Sequence, residues 1–402
     1  MPDALRIDLA SPAFKANPYP TYARLRREAP VVRTRIGWRR DAWLVTRYAD
    51  VAALLRDPRF AKDPLAVRDG TRRGPWMPGF LRPLTRNMLD LDAPDHARLR
   101  ALVQKAFTPR LVEALRPRVE ALVDELLTAA LREPCGELVA QLALPVPLTI
   151  IAELLGVPAA DQPRFHRWSE RIVSGTPDIR ALLVLPAVRS LFRYLRRLFA
   201  ARRAEPRDDL ITALVQAEEA GDRLDEDELL GMVFLLLAAG HETTVNLIGG
   251  GVLALLQHPA QLERLRGDPS LAKTAVDELV RFTSPVELST ERYAREDLEI
   301  AGVRIGRGEM VLGAIGSANR DPEQFPEPDA LDVAREPNRH LGFGLGAHFC
   351  LGSPLARLEA QVAIPALLAR APGLRLAVAP DALRWRKHLF LRGLRALPVV
   401  FR

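Results

Sequence analysis

A cysteine stands among three glycines in Phe343-Gly344-Leu345-Gly346-Ala347-His348-Phe349-Cys350-Leu351-Gly352, directly before an apolar stretch, Leu355 to Leu368, that reads as a helix. Glycine at 344, 346 and 352 lets the backbone approach a flat ligand and adopt φ values closed to other residues. A cysteine just ahead of a helix lies near amide N–H groups and the positive end of the helix dipole, which lowers its pKa toward the thiolate. An anionic sulfur held in this way suits a haem iron, whose ligand must push electron density toward O–O cleavage. The alternative is a buried structural cysteine in a Gly-rich turn; the ten-residue pattern favours the ligand.

A second cluster, Ala239-Gly240-His241-Glu242-Thr243-Thr244, is polar inside an otherwise apolar run. Burying such groups is costly unless they have partners or a task. Gly240 leaves room beside the helix. The Thr243 hydroxyl can loosen the helix and hold a water, or simply bond back to an earlier carbonyl. Glu278 and Arg281, three apart, can pair on one helical face, although an exposed pair of this kind contributes little. His96 and Arg100, four apart, place two cationic donors on one side, which suits the two propionates of a haem.

The elements that must carry these groups are mostly helical. Thr108-Pro109 reads as a helix start, an N-cap followed by proline. Leu111, Leu115, Val119, Leu122 and Leu126 then form one apolar stripe. Asp225 to Gln257 reads as a longer helix, acidic at its N-terminal end, and Leu271 to Phe282 as another. Pro365 should bend the helix after Cys350 or end it early. Strand-like pieces are Ala42 to Thr46, Leu298 to Leu312 and Leu383 to Phe401. The middle one is expected to be a hairpin turning at Gly306-Arg307-Gly308 and leading to Val311. The late run Gly249-Gly250-Gly251 has no phosphate-loop spacing and is read as permitting close helix packing.

Taken with this order of segments, the cysteine stretch resembles the haem-binding loop of the cytochrome P450 family, and the likeness runs roughly from residue 90 to 360. The resemblance implies one domain over residues 1–402, mainly α with a smaller β portion, with haem b between the long central helix and the cysteine-loop helix. It implies Cys350 as the iron ligand, and Glu242 with Thr243 as the acid–alcohol pair that delivers protons during dioxygen activation. His96, Arg100, Arg292 and His348 match propionate contacts. Glu278, Arg281 and Arg335 match a buried structural trio that braces the cysteine loop. Arg98 and His340 are read as surface or structural groups.

Composition fits this reading. Of 402 residues, 48% are hydrophobic and 27% charged, ordinary for a folded globular chain. Two cysteines exclude a disulfide scaffold and a multi-thiolate zinc site, and Cys135 is read as a plain surface or half-buried thiol. The first 30 residues show no signal peptide, and the apolar run Leu229 to Gly240 is too short to span a bilayer, so a cytoplasmic protein without a membrane is expected. The net charge is +7, but only five of the 57 basic residues are Lys and the Arg are spread along the chain. Nucleic acid is therefore not expected as a partner.

The resemblance places substrate beneath loops near residues 61–88, 165–186, 232–239, 285–290 and 389–391. Their side chains, among them Trp76, Met77, Phe80, Leu81, Leu182, Leu183, Phe234, Leu235, Val286 and Leu288, are largely apolar, with Arg72, Arg73 and Glu287 as polar anchors or solvent-exposed groups. Such a pocket suits a hydrophobic small molecule such as a terpenoid, steroid, macrolide or fatty acid. The expected activity is hydroxylation or epoxidation with dioxygen, in a monomer fed electrons by a separate ferredoxin or flavodoxin. Cationic candidates for docking that donor are Arg98, Lys105, Arg110, Arg339 and Arg357. A peroxide-driven peroxygenase and a non-catalytic haem protein are the alternatives; the intact Glu242-Thr243 pair argues against both.

Overall fold

The computed structural model describes residues 8–36, 40–67, 78–85, 87–173, 181–219 and 224–402. It bears out a mainly helical chain with a small β portion. Two compact units form: Met1–Arg72 with Arg118–Ala143 and Thr243–Arg402, and Arg73–Pro117 with Leu144–Glu242.

The first unit is built on a five-stranded sheet in the order Val31–Ile36, Arg40–Val45, Met310–Gly313, Arg292–Ala294, Phe60–Ala61. Residues 40–45 run parallel to 310–313, with Trp43 beside Val311. Side chains alternate between faces along a strand, and the sheet uses both. Ala42, Leu44 and Leu312 enter one buried cluster with Tyr22 and Leu288, while Val45 and Val311 enter another with Val51, Leu54 and Leu341. A sheet covered on both faces explains why these strands read as continuous apolar runs.

The hairpin differs from expectation. Leu298–Ile300 pairs with Val303–Ile305, and the chain reverses at Ala301 and Gly302, whose φ values are 49° and 81°. Two successive positive φ angles are what a tight two-residue hairpin turn needs. Val311 belongs to the larger sheet instead. Near the C-terminal end, the expected strand is reduced to the bridges Val286–Leu391 and Trp385–Leu394 and the short strand Pro398–Val400. That strand pairs with Cys135–Glu137 and Arg375–Leu376.

The helix after Cys350 runs from Ser353 to Arg370, so Pro365 does not end it early. Proline removes one ladder bond, but Ile364, Leu367 and Leu368 around it are buried, and that packing holds the helix together. In the other direction, the stripe starting at Thr108 is two helices rather than one, Pro109–Ala114 and Arg116–Ala130. Thr108 caps the first by accepting the Leu111 N–H at 3.2 Å, as expected. Pro117 lacks the N–H that would have continued the ladder.

The second unit is helical: Asp95–Ala106, Pro145–Leu154, Gln162–Val173, Ala181–Ala204 and Leu210–Glu219 accompany the first part of the long helix Glu226–Gln257. Glu226, Asp227 and Glu228 in its first turn complement the helix dipole. This helix matches the expected Asp225–Gln257. By length and composition it could cross a membrane, but 61% of its most apolar window is buried inside the protein. Gly251 allows the close packing expected of the glycine run: a Cβ there would meet Leu279 Cδ1 at 3.1 Å and Ile364 Cδ1 at 3.4 Å.

Candidate active site

The cysteine loop lies in the first unit, and its backbone is held at several points. Cys350 N–H donates to the Phe343 carbonyl at 2.9 Å, and Phe349 N–H to that of Gly346 at 3.0 Å. Gly344 and Gly346 have φ of 72° and 74°, and a Cβ on Gly346 would sit 3.0 Å from the Leu55 carbonyl oxygen. The sequence therefore needs glycine at 346 on two counts, conformation and close approach. So folded, the loop carries Phe349 and Cys350 to the start of the next helix. Both are exposed, Phe349 to 38%, at the head of a helix whose other face is core.

Beneath the loop lies a polar brace. Arg281 and Glu278 pair in the helix Ala272–Thr283, and Arg335 Nε donates to Glu278 Oε1 at 3.2 Å. Arg281 Nη1 also donates to the Asn319 carbonyl at 2.9 Å, and Asn319 Oδ1 accepts the Leu341 N–H at 2.8 Å, two residues before Phe343. Burial lowers the Arg281 pKa, and Glu278 opposes that effect. The brace thus reaches the loop through Asn319.

A second contact set grips Phe343. Arg357, from the cysteine-loop helix, stacks its guanidinium 4.4 Å from the Phe343 ring centre and donates from Nε to Asp277 Oδ1 at 2.8 Å. His340 Nε2 lies 3.3 Å from the same oxygen, and its ring packs against Phe343 at 5.6 Å. Burial pushes the Asp277 carboxyl up, but His340 and Arg357 together outweigh it and hold the pKa below its usual value. His340 is structural, as expected. Sequence reading missed Asp277 and Asn319; the acidic residue next to Glu278 on the same helix was the available signal. It also missed Glu359, a carboxyl in the apolar stripe Leu355, Leu358, Val362. Glu359 is buried with no hydrogen-bond partner among the described residues, and burial holds its pKa well above the ordinary range.

Other expected site residues fall as follows. Arg292 is buried on the sheet strand Arg292–Ala294, opposite Val311, and His348 is half-buried in the short turn Gly346–His348. Both share the first unit with Cys350. In the second unit, His96 is buried and Arg100 half-buried on one face of Asp95–Ala106. Arg98 points elsewhere, pairing with Glu228 at 2.5 Å at the start of the long helix. In that helix Ala239 is exposed and Gly240 and Thr243 are partly so, while His241, Glu242 and Thr244 are buried. Among the described residues outside its own helix, a Cβ on Gly240 would meet Ile151, at 3.6 Å. His241 Nδ1 bonds back to the Leu237 carbonyl at 2.7 Å.

On the substrate side two expectations change. Glu287 is no free anchor: Lys15 and Tyr22 hold its carboxylate in the core. Leu288 is likewise wholly buried in the sheet cluster. Val286, Phe80, Leu81, Phe234 and Leu235 are half-buried. Arg72, Arg73, Trp76 and Met77, and the side chains of Leu182, Leu183 and Lys105, lie outside the described residues. Cys135 is exposed, within the expected range.

The donor set fits a haem. A single cysteine at the head of a helix suits the one thiolate by which a haem iron would be held.

Comparison with known proteins agrees. The sequence pattern of the Cytochrome P450 family matches residues 11–370. The chain is 48% identical to Cytochrome P450 107B1 of Saccharopolyspora erythraea, over 99% of this chain and 98% of that one. It is 45% identical to the Mycinamicin IV hydroxylase/epoxidase of Micromonospora griseorubida, over 94% of each. The solved structure of the Bacillus subtilis bacillaene polyketide synthase cytochrome P450 PksS superimposes with a TM-score of 0.92 at 44% identity, covering 98% of this chain and 99% of that one. A full-length match of this depth, joined to a Cys350 loop braced at the head of a helix, leaves one conclusion: the chain belongs to the cytochrome P450 family and is a haem-iron monooxygenase.

Proposed function

We propose that this monooxygenase binds haem b through the Cys350 thiolate and hydroxylates or epoxidises a hydrophobic small molecule of the macrolide or related polyketide type. The observation that carries the reading is Cys350 at the head of Ser353–Arg370, on a loop fixed by Phe343, Asn319 and the glycines. When bound, the haem supplies the reduction of dioxygen and the transfer of one oxygen atom to substrate. The helix start favours the anionic sulfur. His96, Arg100, Arg292 and His348 are assigned to the propionates, as charge-assisted donors suit carboxylates.

Glu242 and Thr243 are assigned to proton movement. The Thr243 hydroxyl can hold a water beside Gly240, and the Glu242 carboxyl can pass it a proton and be reprotonated from solvent. The half-buried apolar side chains Phe80, Leu81, Phe234, Leu235 and Val286 suit a largely apolar substrate. The relatives named for mycinamicin and bacillaene chemistry support the polyketide class. Electrons come from a separate ferredoxin or flavodoxin, with the enzyme acting as a cytoplasmic monomer.

The test is spectroscopic. The reduced carbonyl complex should show the strongly red-shifted Soret band of thiolate-ligated haem, and Cys350→Ala should abolish it. An unshifted native band, or one that survives the substitution, would refute the assignment. Spectral-shift titration against a panel of macrolactones, steroids, terpenoids and fatty acids then ranks the substrate classes.

A further inference from the structure

The short helix Pro12–Ala16 carries a lysine into the middle of the first unit, although this side chain normally brings its ammonium to water. Lys15 is 0% exposed. Its Nζ donates to Glu287 Oε2 at 2.8 Å and to the Leu389 carbonyl at 3.0 Å. The other Glu287 oxygen accepts the Tyr22 hydroxyl at 2.6 Å. Arg392 closes the group from behind, donating from Nε to the Lys15 carbonyl at 2.8 Å. One ammonium therefore joins three separate parts of the chain: the N-terminal helix, the segment after Ser284, and the turn at 389–391.

The last two are also joined through backbone. Glu287 and Leu288 N–H both donate to the Phe390 carbonyl, at 2.8 and 3.2 Å, and Arg392 N–H donates to that of Pro285 at 2.9 Å. Val286 and Leu391 form an antiparallel bridge. Side chains alternate along an extended segment, so Val286 faces away from Glu287 and Lys15. Its bridged partner Leu391 shares its face. Both are half-buried, as are the neighbouring Leu389 and Phe390. The ion pair thus lies behind Val286 and Leu391: Val286 packs in part on the cluster of Val31, Val45 and Val311, while Leu389 and Phe390 pack with Tyr22 and Leu288 on the ion-pair side.

A buried ion pair is a poor source of net stability, because desolvation offsets the attraction and an apolar pair of similar volume serves as well. What it supplies is direction. An ammonium fixes two acceptors at set distances, and here they belong to the two segments that carry Val286 and Leu391. We infer that Lys15 is a positioning residue for substrate: by bridging Glu287 and Leu389 from behind, it sets the spacing and register of Val286 and Leu391. The inference rests on the proposed placement of 285–290 and 389–391 on the substrate side.

Two iron ligands test it on the full-length, haem-loaded protein. Imidazole needs only the iron, whereas 4-phenylimidazole must also seat a ring against the apolar walls; both are read as a Soret shift. In Lys15→Met the ratio of the 4-phenylimidazole Kd to the imidazole Kd should rise by about fivefold or more, with imidazole itself within about twofold of the parent. Lys15→Met combined with Glu287→Met strands no charge, so thermal stability should return. The bridge is still missing there, so the raised ratio should persist; this double variant also serves if the single one fails to fold. A ratio unchanged in the double variant, or one that returns to the parent value along with stability, overturns the inference. Absence of any Soret shift with either ligand in the parent protein would instead overturn the haem reading itself.

Discussion

The guanidinium of Arg281 meets the carboxylate of Glu278 at two points, Nε to Oε2 at 2.7 Å and Nη2 to Oε1 at 2.8 Å, and both side chains are wholly buried. The remaining Arg281 nitrogen holds the carbonyls of Asn319 and Pro328. Every donor of that fork is directed at structure, and none at solvent.

Arg281→Met should therefore cost about 3–5 kcal/mol, because it leaves a carboxylate buried with only part of its compensation. Chemical denaturation of the haem-loaded protein measures this. A loss under about 1 kcal/mol, the scale of an exposed pair, would show that the brace does not carry the loop.

Thr243→Ala should leave haem content and substrate affinity nearly intact while lowering the fraction of electrons that reach product. Without the hydroxyl, water beside Gly240 loses its partner and proton delivery is misdirected. Product formed per NAD(P)H consumed, with peroxide release measured alongside, reads the effect. Unchanged coupling would move the task to another group or to the substrate.

Electron delivery should depend on salt. Of the cations considered for docking a donor, Arg98 and Arg357 are engaged by Glu228 and Asp277, whereas Arg110 and Arg339 are exposed. Reduction by an acidic ferredoxin should slow as ionic strength rises, since screening shortens the steering field. Arg339→Glu or Arg110→Glu should slow it further without altering substrate binding. A reduction rate that is flat across salt, with both reversals silent, would place the donor elsewhere.

His388 gives a pH dependence. Its Nδ1 accepts the N–H groups of Phe390 and Leu391 at 3.1 and 3.0 Å, which requires the unprotonated nitrogen. Burial first, then the charges of Lys15 and Arg386, lower its pKa from 6.5 to about 4. The unfolded chain takes up this proton near pH 6.5 while the folded one resists it. The stability it contributes is therefore complete above about pH 6.5 and is lost as pH falls from there toward about 4. Melting temperature across that window should fall, and His388→Asn, whose Oδ1 can accept the same bonds, should flatten the fall. An equal slope in the variant would exclude His388 as the source.

Much of this was legible in sequence where local chemistry decides. Glycines 344 and 346 do adopt the conformation that only glycine accepts freely, and Thr108 does cap a helix. The Glu278, Arg281 and Arg335 trio came from resemblance, since spacing alone does not distinguish a buried pair from a surface one. Tertiary partners were the hidden part. Nothing near Glu287 in sequence announces Lys15, 272 positions away, and nothing in the 298–312 stretch shows that Val311 leaves the hairpin for a neighbour contributed by residues 40–45. Pro365 does not end its helix for the same reason: its cost is local, but the packing that offsets it is not.

The strand Cys135–Glu137 has its partner at Pro398–Val400, roughly 260 residues later. Around it, Leu138 N–H bonds to the Leu397 carbonyl, Leu397 N–H to Glu137 Oε1, and Phe401 N–H to the Pro134 carbonyl. On a ribosome adding ~5–20 residues per second, these groups wait roughly 13–50 s for partners that have not yet been made. The nascent chain thus displays a short unpaired edge, with the thiol of Cys135 on it, until Pro398–Val400 has been made. Ribosome-bound intermediates should be open to thiol reagents at Cys135 and to chaperones that shield strand edges, and that window closes only when residues 398–400 emerge.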